Sequence, residues 1–219
     1  MSRIFPSLAG TAIVLMMITL GVGLSLGELQ PQLDRLHDLN ASGDESAEIQ
    51  EEITALEGTK RWANIHRLLG IGTGMMVMLV NCIAVTYFVG TTRWCREVIE
   101  AYQLDTTLWG KSASMKRRTF FWAVVGMLTV LVISSLGAMS DPMAAFPNAE
   151  QFITPHFLAA LLGMGVIGWS FYAQWEHIAA NHDIITQVLT DVQRIRKERG
   201  IDDDADESET GTGDGPAAI

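Results

Sequence analysis

Four long stretches of this chain contain no Asp, Glu, Lys or Arg: Ile4–Leu26, Leu68–Val89, Thr119–Met139 and Phe152–Tyr172. That absence argues against several function classes. Proton pumps, ion-coupled transporters and voltage sensors need ionisable groups at membrane depth, where such groups are costly and are kept only for that work. Cysteine is scarce as well. The two thiols, Cys82 and Cys95, stand about 20 Å apart along a helix and cannot pair within it. Neither has metal-ligand spacing, so each reads as a small buried residue or a partly exposed thiol. Nucleophile triads, phosphate-binding loops, paired carboxylates and zinc patterns are missing too, which leaves hydrolytic and phosphoryl-transfer chemistry without a basis.

Each uncharged run is long enough to cross a bilayer as a helix, which takes about 20 residues. The expected fold is all-α: an integral membrane four-helix bundle of up-down topology over residues 1–175, with spans at about 4–26, 68–89, 119–139 and 152–172. A chain of 219 residues then has no room for a second globular domain. A signal peptide is the alternative for the first run, since Arg3 precedes it. The run is longer than the usual apolar region of about 7–15 residues and lacks a clear A-x-A site. Much of the net charge of -10 sits in Asp202–Glu209, within a tail (201–219) expected to be disordered and solvating.

Lys and Arg near span ends set orientation. The second connection carries Arg93, Arg96, Lys111, Lys116, Arg117 and Arg118, whereas Ser140–Gln151 carries none. Arg3 precedes the first span, and Arg194, Arg196, Lys197 and Arg199 follow the fourth. These positions place both termini and the second connection in the cytoplasm. The first connection is the exception, with Arg35, Lys60, Arg61 and Arg67 on the outer side.

Residues 28–65 form a long outer loop, a length that points to function. Within it Glu45–Leu56 is helix-compatible, with Ile49, Ile53 and Leu56 on one stripe, placed either over the outer mouth of the bundle or as a solvated surface helix. On the inner side the second span is expected to continue through Trp94, Val98 and Tyr102. The fourth runs on through Ile178, Ile185, Val188, Val192 and Ile195, giving a cytoplasmic helical extension over 176–200. These extensions either pack on each other or bind a partner.

Two histidines stand out, His66 at the start of the second span and His156 in the first turn of the fourth. In an up-down bundle both lie near the outer surface. Neutral imidazole is a strong ligand for haem iron, and two on facing helices make a six-coordinate b-type site. A macrocycle needs small side chains beside its ligands. One and two turns on from His66 come Gly70, Thr73 and Gly74; from His156 come Ala159, Ala160 and Gly163. Arg67, with Arg61 and Lys60 upstream, supplies partners for haem propionates. The competing reading is structural. Gly70-x-x-x-Gly74 and Ala159-x-x-x-Gly163 also serve close helix packing, and interfacial histidines often only keep a polar end in water. Measured from Trp94 and Trp175 as inner anchors, the two histidines differ in level by roughly 13 Å. Asn81, Thr73, Thr129, Ser134 and Ser135 read as interhelical glue. His37, His177 and His182 read as surface or interfacial residues.

The string Ile65-His66-Arg67-Leu68-Leu69-Gly70, followed by Gly74 and a long apolar run, resembles the second helix of a four-helix half of the haem A synthase family. The likeness extends over roughly the first 175 residues. It implies a four-helix bundle with haem ligands at the outer ends of its second and fourth helices, here His66 and His156. The chain departs from the family in having one half rather than two, Ala63 where a glutamate is expected, and no cysteine pair in the outer loop. Haem binding is therefore expected without synthase chemistry.

The expectation is a multi-pass plasma-membrane protein of the bacterial inner-membrane type. It would bind haem b through His66 and His156, with Arg67, Gly70, Gly74 and Gly163 around the cofactor. Its role would be electron transfer or haem handling linked to respiration. Its expected partners are the lipid bilayer and another membrane or respiratory subunit, not nucleic acid, and no enzymatic reaction is assigned. The alternative is a non-catalytic scaffold or accessory subunit acting through its cytoplasmic helices.

Overall fold

A computed structural model describes residues 3–26, 29–43, 46–141 and 146–200. Among the described residues the chain is helical throughout: α1 (Ile4–Ser25), α2 (Leu29–Ser42), α3 (Ala47–Tyr102), α4 (Thr106–Met139), a 3-10 turn (Ala149–Phe152) and α5 (Ile153–Glu198). Helices α1, α3, α4 and α5 are long and apolar enough to cross a membrane. The acidic tail lies outside the described residues.

The side-chain distribution is the inverse of a water-soluble bundle. Leu162 is 70% exposed, Met75 69% and Leu68 68%, while Asn81, Ser170, Gln174 and Asn181 are fully buried. Bare leucine against lipid costs nothing, whereas an amide needs partners inside. The inner residues supply them. Gln174 Nε2 donates to Asn81 Oδ1 and to Ser170 Oγ, both at 2.9 Å, and Ser170 Oγ donates to the Trp122 carbonyl. Around this layer pack Phe5, Val77, Ala84, Phe88, Ile167 and Phe171, with the Phe5 and Phe171 rings edge to face at 6.3 Å.

Helix α3 differs from the expected element. The helix foreseen at 45–56 and the second span are one continuous rod of 56 residues, about 84 Å long. The expected outer loop is thus the helix α2 and the first turns of α3. They pack on one another through buried Leu36 and Leu39, with half-buried Ile49, Ile53 and Leu56 and a bidentate Arg35–Glu52 pair. No proline stands between Ala47 and Tyr102, so nothing in the chain removes a helical hydrogen bond where the loop was expected.

At the other end α3, α4 and α5 extend past the apolar spans as a three-helix stalk. Ile99, Leu108, Ile184 and Val188 are its buried centre, with Trp94, Val98 and Val192 packed against them. The apolar stripes of the two expected extensions therefore cover each other. The α3–α4 turn is made by Gln103 in the left-handed region (φ 56°) and Asp105, whose carboxylate caps α4 by accepting from the Thr107 amide. Cys95 and Cys82 are free, the first buried in this region and the second exposed.

A candidate two-histidine site at one end of the bundle

His66 lies beside the last turns of α1, at Gly23, and His156 beside the last turns of α4, at Gly137. Each is half-buried, and each is held by the helix next to it. His66 Nδ1 lies 3.1 Å from the Thr19 carbonyl of α1, and His156 Nδ1 lies 3.2 Å from the Ile133 carbonyl of α4. A carbonyl can only accept, so in both rings Nδ1 carries the proton. The neutral ring then keeps its lone pair on Nε2, the tautomer in which metal-bound histidines are found when a backbone carbonyl orients them.

The two arrangements are one arrangement used twice. Every buried position of α1 has a buried counterpart in α4 at a shift of 114: Phe5 with Thr119, Ala9 with Ala123, Ala12 with Gly126, and Met16 with Val130. The same shift carries Thr19 to Ile133. A shift of 90 takes His66 to His156 and relates the buried faces of α3 and α5: Thr73 with Gly163, Val77 with Ile167, Val80 with Ser170, Asn81 with Phe171, Ala84 with Gln174, and Phe88 with Ile178. Two helical hairpins, α1–α3 and α4–α5, thus present their histidines alike. The register breaks beyond Phe88 and Ile178, where the stalk begins.

The repeat also bears on the tryptophans used as inner anchors. Trp94 packs in the stalk, against a cluster that includes Ile184, while Trp175 sits nine residues before Ile184 along α5 and is exposed beside Tyr172. The two indoles mark different depths. His66 and His156 hold equivalent positions in their hairpins.

The small residues divide between helix contacts. Thr73 shares a hydroxyl hydrogen bond with Thr19 (2.9 Å), and Gly70 also faces Thr19. Gly74 and Gly163 both lie against α4: a Cβ on Gly74 would stand 3.3 Å from Val130 Cγ1, and one on Gly163 2.5 Å from Ile133 Cδ1. Both glycines therefore serve close packing on α4. Arg67 Nη1 donates to Asp141 Oδ2 (3.0 Å) and its Nη2 to Asn64 Oδ1 (2.7 Å), which ties α3 to the end of α4 at the rim of the histidine site. His177 is engaged elsewhere, hydrogen-bonded to Thr119 Oγ1, and His37 and His182 are exposed.

Sequence reading missed the groups that orient the rings. Thr19 and Ile133 act through backbone carbonyls, which no residue type announces. The linear trace of the repeat is the common spacing of small and apolar positions, in α1 and α4 and again in α3 and α5.

Among the described residues no cluster of three or more His, Cys, Asp or Glu side chains is placed to hold a bare metal ion. A pair of Nδ1-protonated imidazoles suits instead a metal that brings its own equatorial ligands, as haem iron does with four ring nitrogens. The donor set thus fits haem. No family model matches the chain, and no match was found among curated proteins or solved structures.

Proposed function

We propose that this protein is a membrane b-type haem protein that serves electron transfer or haem handling linked to respiration, with His66 and His156 as axial ligands. The supporting observation is the repeated cradle: two imidazoles at one end of the bundle, each with Nδ1–H on a neighbouring helix carbonyl and Nε2 left as the donor atom. In this reading the four spans run in up-down order, with the Arg- and Lys-rich stalk in the cytoplasm of a plasma-membrane protein and the site at the outer face; the basic residues near the span ends support that orientation.

A bound haem would supply a one-electron redox centre at the outer surface. The chain's own contribution is to fix ring tautomer and orientation through the Thr19 and Ile133 carbonyls, which also raises the basicity of Nε2. The α1 and α4 segments that carry these carbonyls also half-bury both rings and limit the approach of water. Arg67, already at the rim, offers a guanidinium to a propionate in exchange for Asp141 or Asn64.

The test is an absorption spectrum of protein expressed with ample haem. A Soret band with the sharp visible bands of a six-coordinate low-spin b haem is expected, and His66→Ala or His156→Ala should abolish it or turn it high-spin. No Soret band in the wild type, or a band unaltered in both variants, refutes the reading.

A further inference from the structure

Each imidazole of the site lies against a bare stretch of backbone on the neighbouring helix. A Cβ on Gly23 would stand 2.7 Å from His66 Cε1 and 3.3 Å from its Nδ1. One on Gly137 would stand 3.0 Å from His156 Cε1 and 3.3 Å from its Nδ1. The two glycines are counterparts in the internal repeat. Each follows by four residues the carbonyl that accepts its ring's Nδ1–H, Thr19 in one hairpin and Ile133 in the other. By contrast, Gly10 and Gly21 of α1 and Gly110 of α4 have open space where a Cβ would go.

Helix propensity gives no reason for glycine at either site, since alanine is the better helix former. The histidine contact does. Cε1 sits between the two ring nitrogens, so an atom that pushes on it lifts Nδ1 from its carbonyl and swings Nε2 with it. A ring so displaced keeps its chemistry but loses its aim. Ligand geometry tolerates little of this, because an axial bond needs the lone pair directed at the metal.

We propose that Gly23 and Gly137 are paired positioning residues. The bare backbone at each lets the imidazole of the adjacent helix close in, keep its Nδ1–H on the carbonyl one turn earlier, and hold Nε2 at the angle an axial ligand requires. This rests on the haem reading above and extends it to two residues that never touch the iron. The shorter contact at Gly23 makes His66 the more sensitive ligand.

The experiment uses the full-length protein loaded with haem b in detergent, as wild type, Gly23→Ala, Gly137→Ala, and the open-space controls Gly10→Ala and Gly110→Ala. Optical and electron paramagnetic resonance spectra report spin state, transfer to apomyoglobin reports haem affinity, and circular dichroism reports helix content. The expected result is a high-spin fraction and a roughly 10–100-fold loss of affinity in the two positioning variants, the range for lost outer-shell support of a metal ligand. Gly23→Ala should be the more affected, and helix content and both controls should match the wild type. Wild-type spin state and affinity in both variants would overturn the proposal while leaving the haem reading intact. A wild type that takes up no haem would overturn the haem reading and the proposal with it. If Gly23→Ala does not fold, Gly137→Ala decides. Failure of both to fold would also overturn the proposal, by making these glycines helix-packing residues.

Discussion

Gln174 offers a substitution whose outcome runs against the usual expectation for a buried polar residue. Its Nε2 makes two hydrogen bonds, to Asn81 and Ser170, but its Oε1 is buried without a partner. Gln174→Met keeps the length of the side chain and removes all three polar features at once. Interhelical hydrogen bonds in membrane proteins are worth on average about 0.6 kcal/mol each, so the two losses cost about 1.2 kcal/mol. Relief of one unsatisfied buried carbonyl returns about 1–3 kcal/mol, but Asn81 Oδ1, itself fully buried, loses its Gln174 donor at a similar cost. The two orphan terms offset each other, and the balance is a loss of only about 1 kcal/mol. Asn81→Ala should cost more. It takes the acceptor from Gln174, leaves the orphan carbonyl in place and opens a hole beside Gly126, where the amide now packs, for a loss of roughly 1–3 kcal/mol. Reversible unfolding in mixed detergent–SDS micelles, followed by far-ultraviolet circular dichroism, reads both. A loss above about 2 kcal/mol in Gln174→Met would refute the reasoning, because it would mean that Oε1 is satisfied by a bound water and that the layer is a closed network.

Gly163→Ala forces a Cβ to within 2.5 Å of Ile133 Cδ1 and 2.9 Å of Thr129 Cγ2, so overpacking of about 1–3 kcal/mol should outweigh the helix-propensity gain of about 1 kcal/mol. Gly165→Ala, with open space around it, should be neutral or stabilising in the same SDS titration. At the stalk turn, the hydroxyl and amide hydrogen bonds from Thr107 hold the Asp105 carboxyl below its ordinary range. The cap's contribution is therefore fully present above the ordinary carboxyl pKa and is lost as pH falls through the lowered one. Amide exchange in the first turn of α4 should quicken over that interval and be fast at all pH in Asp105→Ala. Arg67→Ala should change stability by no more than about 1 kcal/mol, since its pair with Asp141 is partly exposed, yet weaken haem retention if a propionate docks there. Equal haem retention in the variant would remove Arg67 from the site.

The spans and their number were legible in the sequence, and so was the like placement of His66 and His156 at two span starts. A 20-residue run without charge has one stable use, and a polar ring at each of two equivalent span starts is visible by position alone. The continuity of α3 was less legible, because acidic residues before Arg61 read as loop when only hydropathy is weighed. Trp94 and Trp175 were unsuitable as a common depth mark, because an exposed aromatic and a stalk-core aromatic look alike in one dimension.

Sequence by itself determined which parts of this protein lie in lipid, since that depends on the summed transfer energy of consecutive side chains. Tertiary structure alone decided how the histidines are used. The groups that orient them are two backbone carbonyls and two absent Cβ atoms, at Thr19, Ile133, Gly23 and Gly137. These act through distance between helices, and no residue-by-residue sum contains that distance.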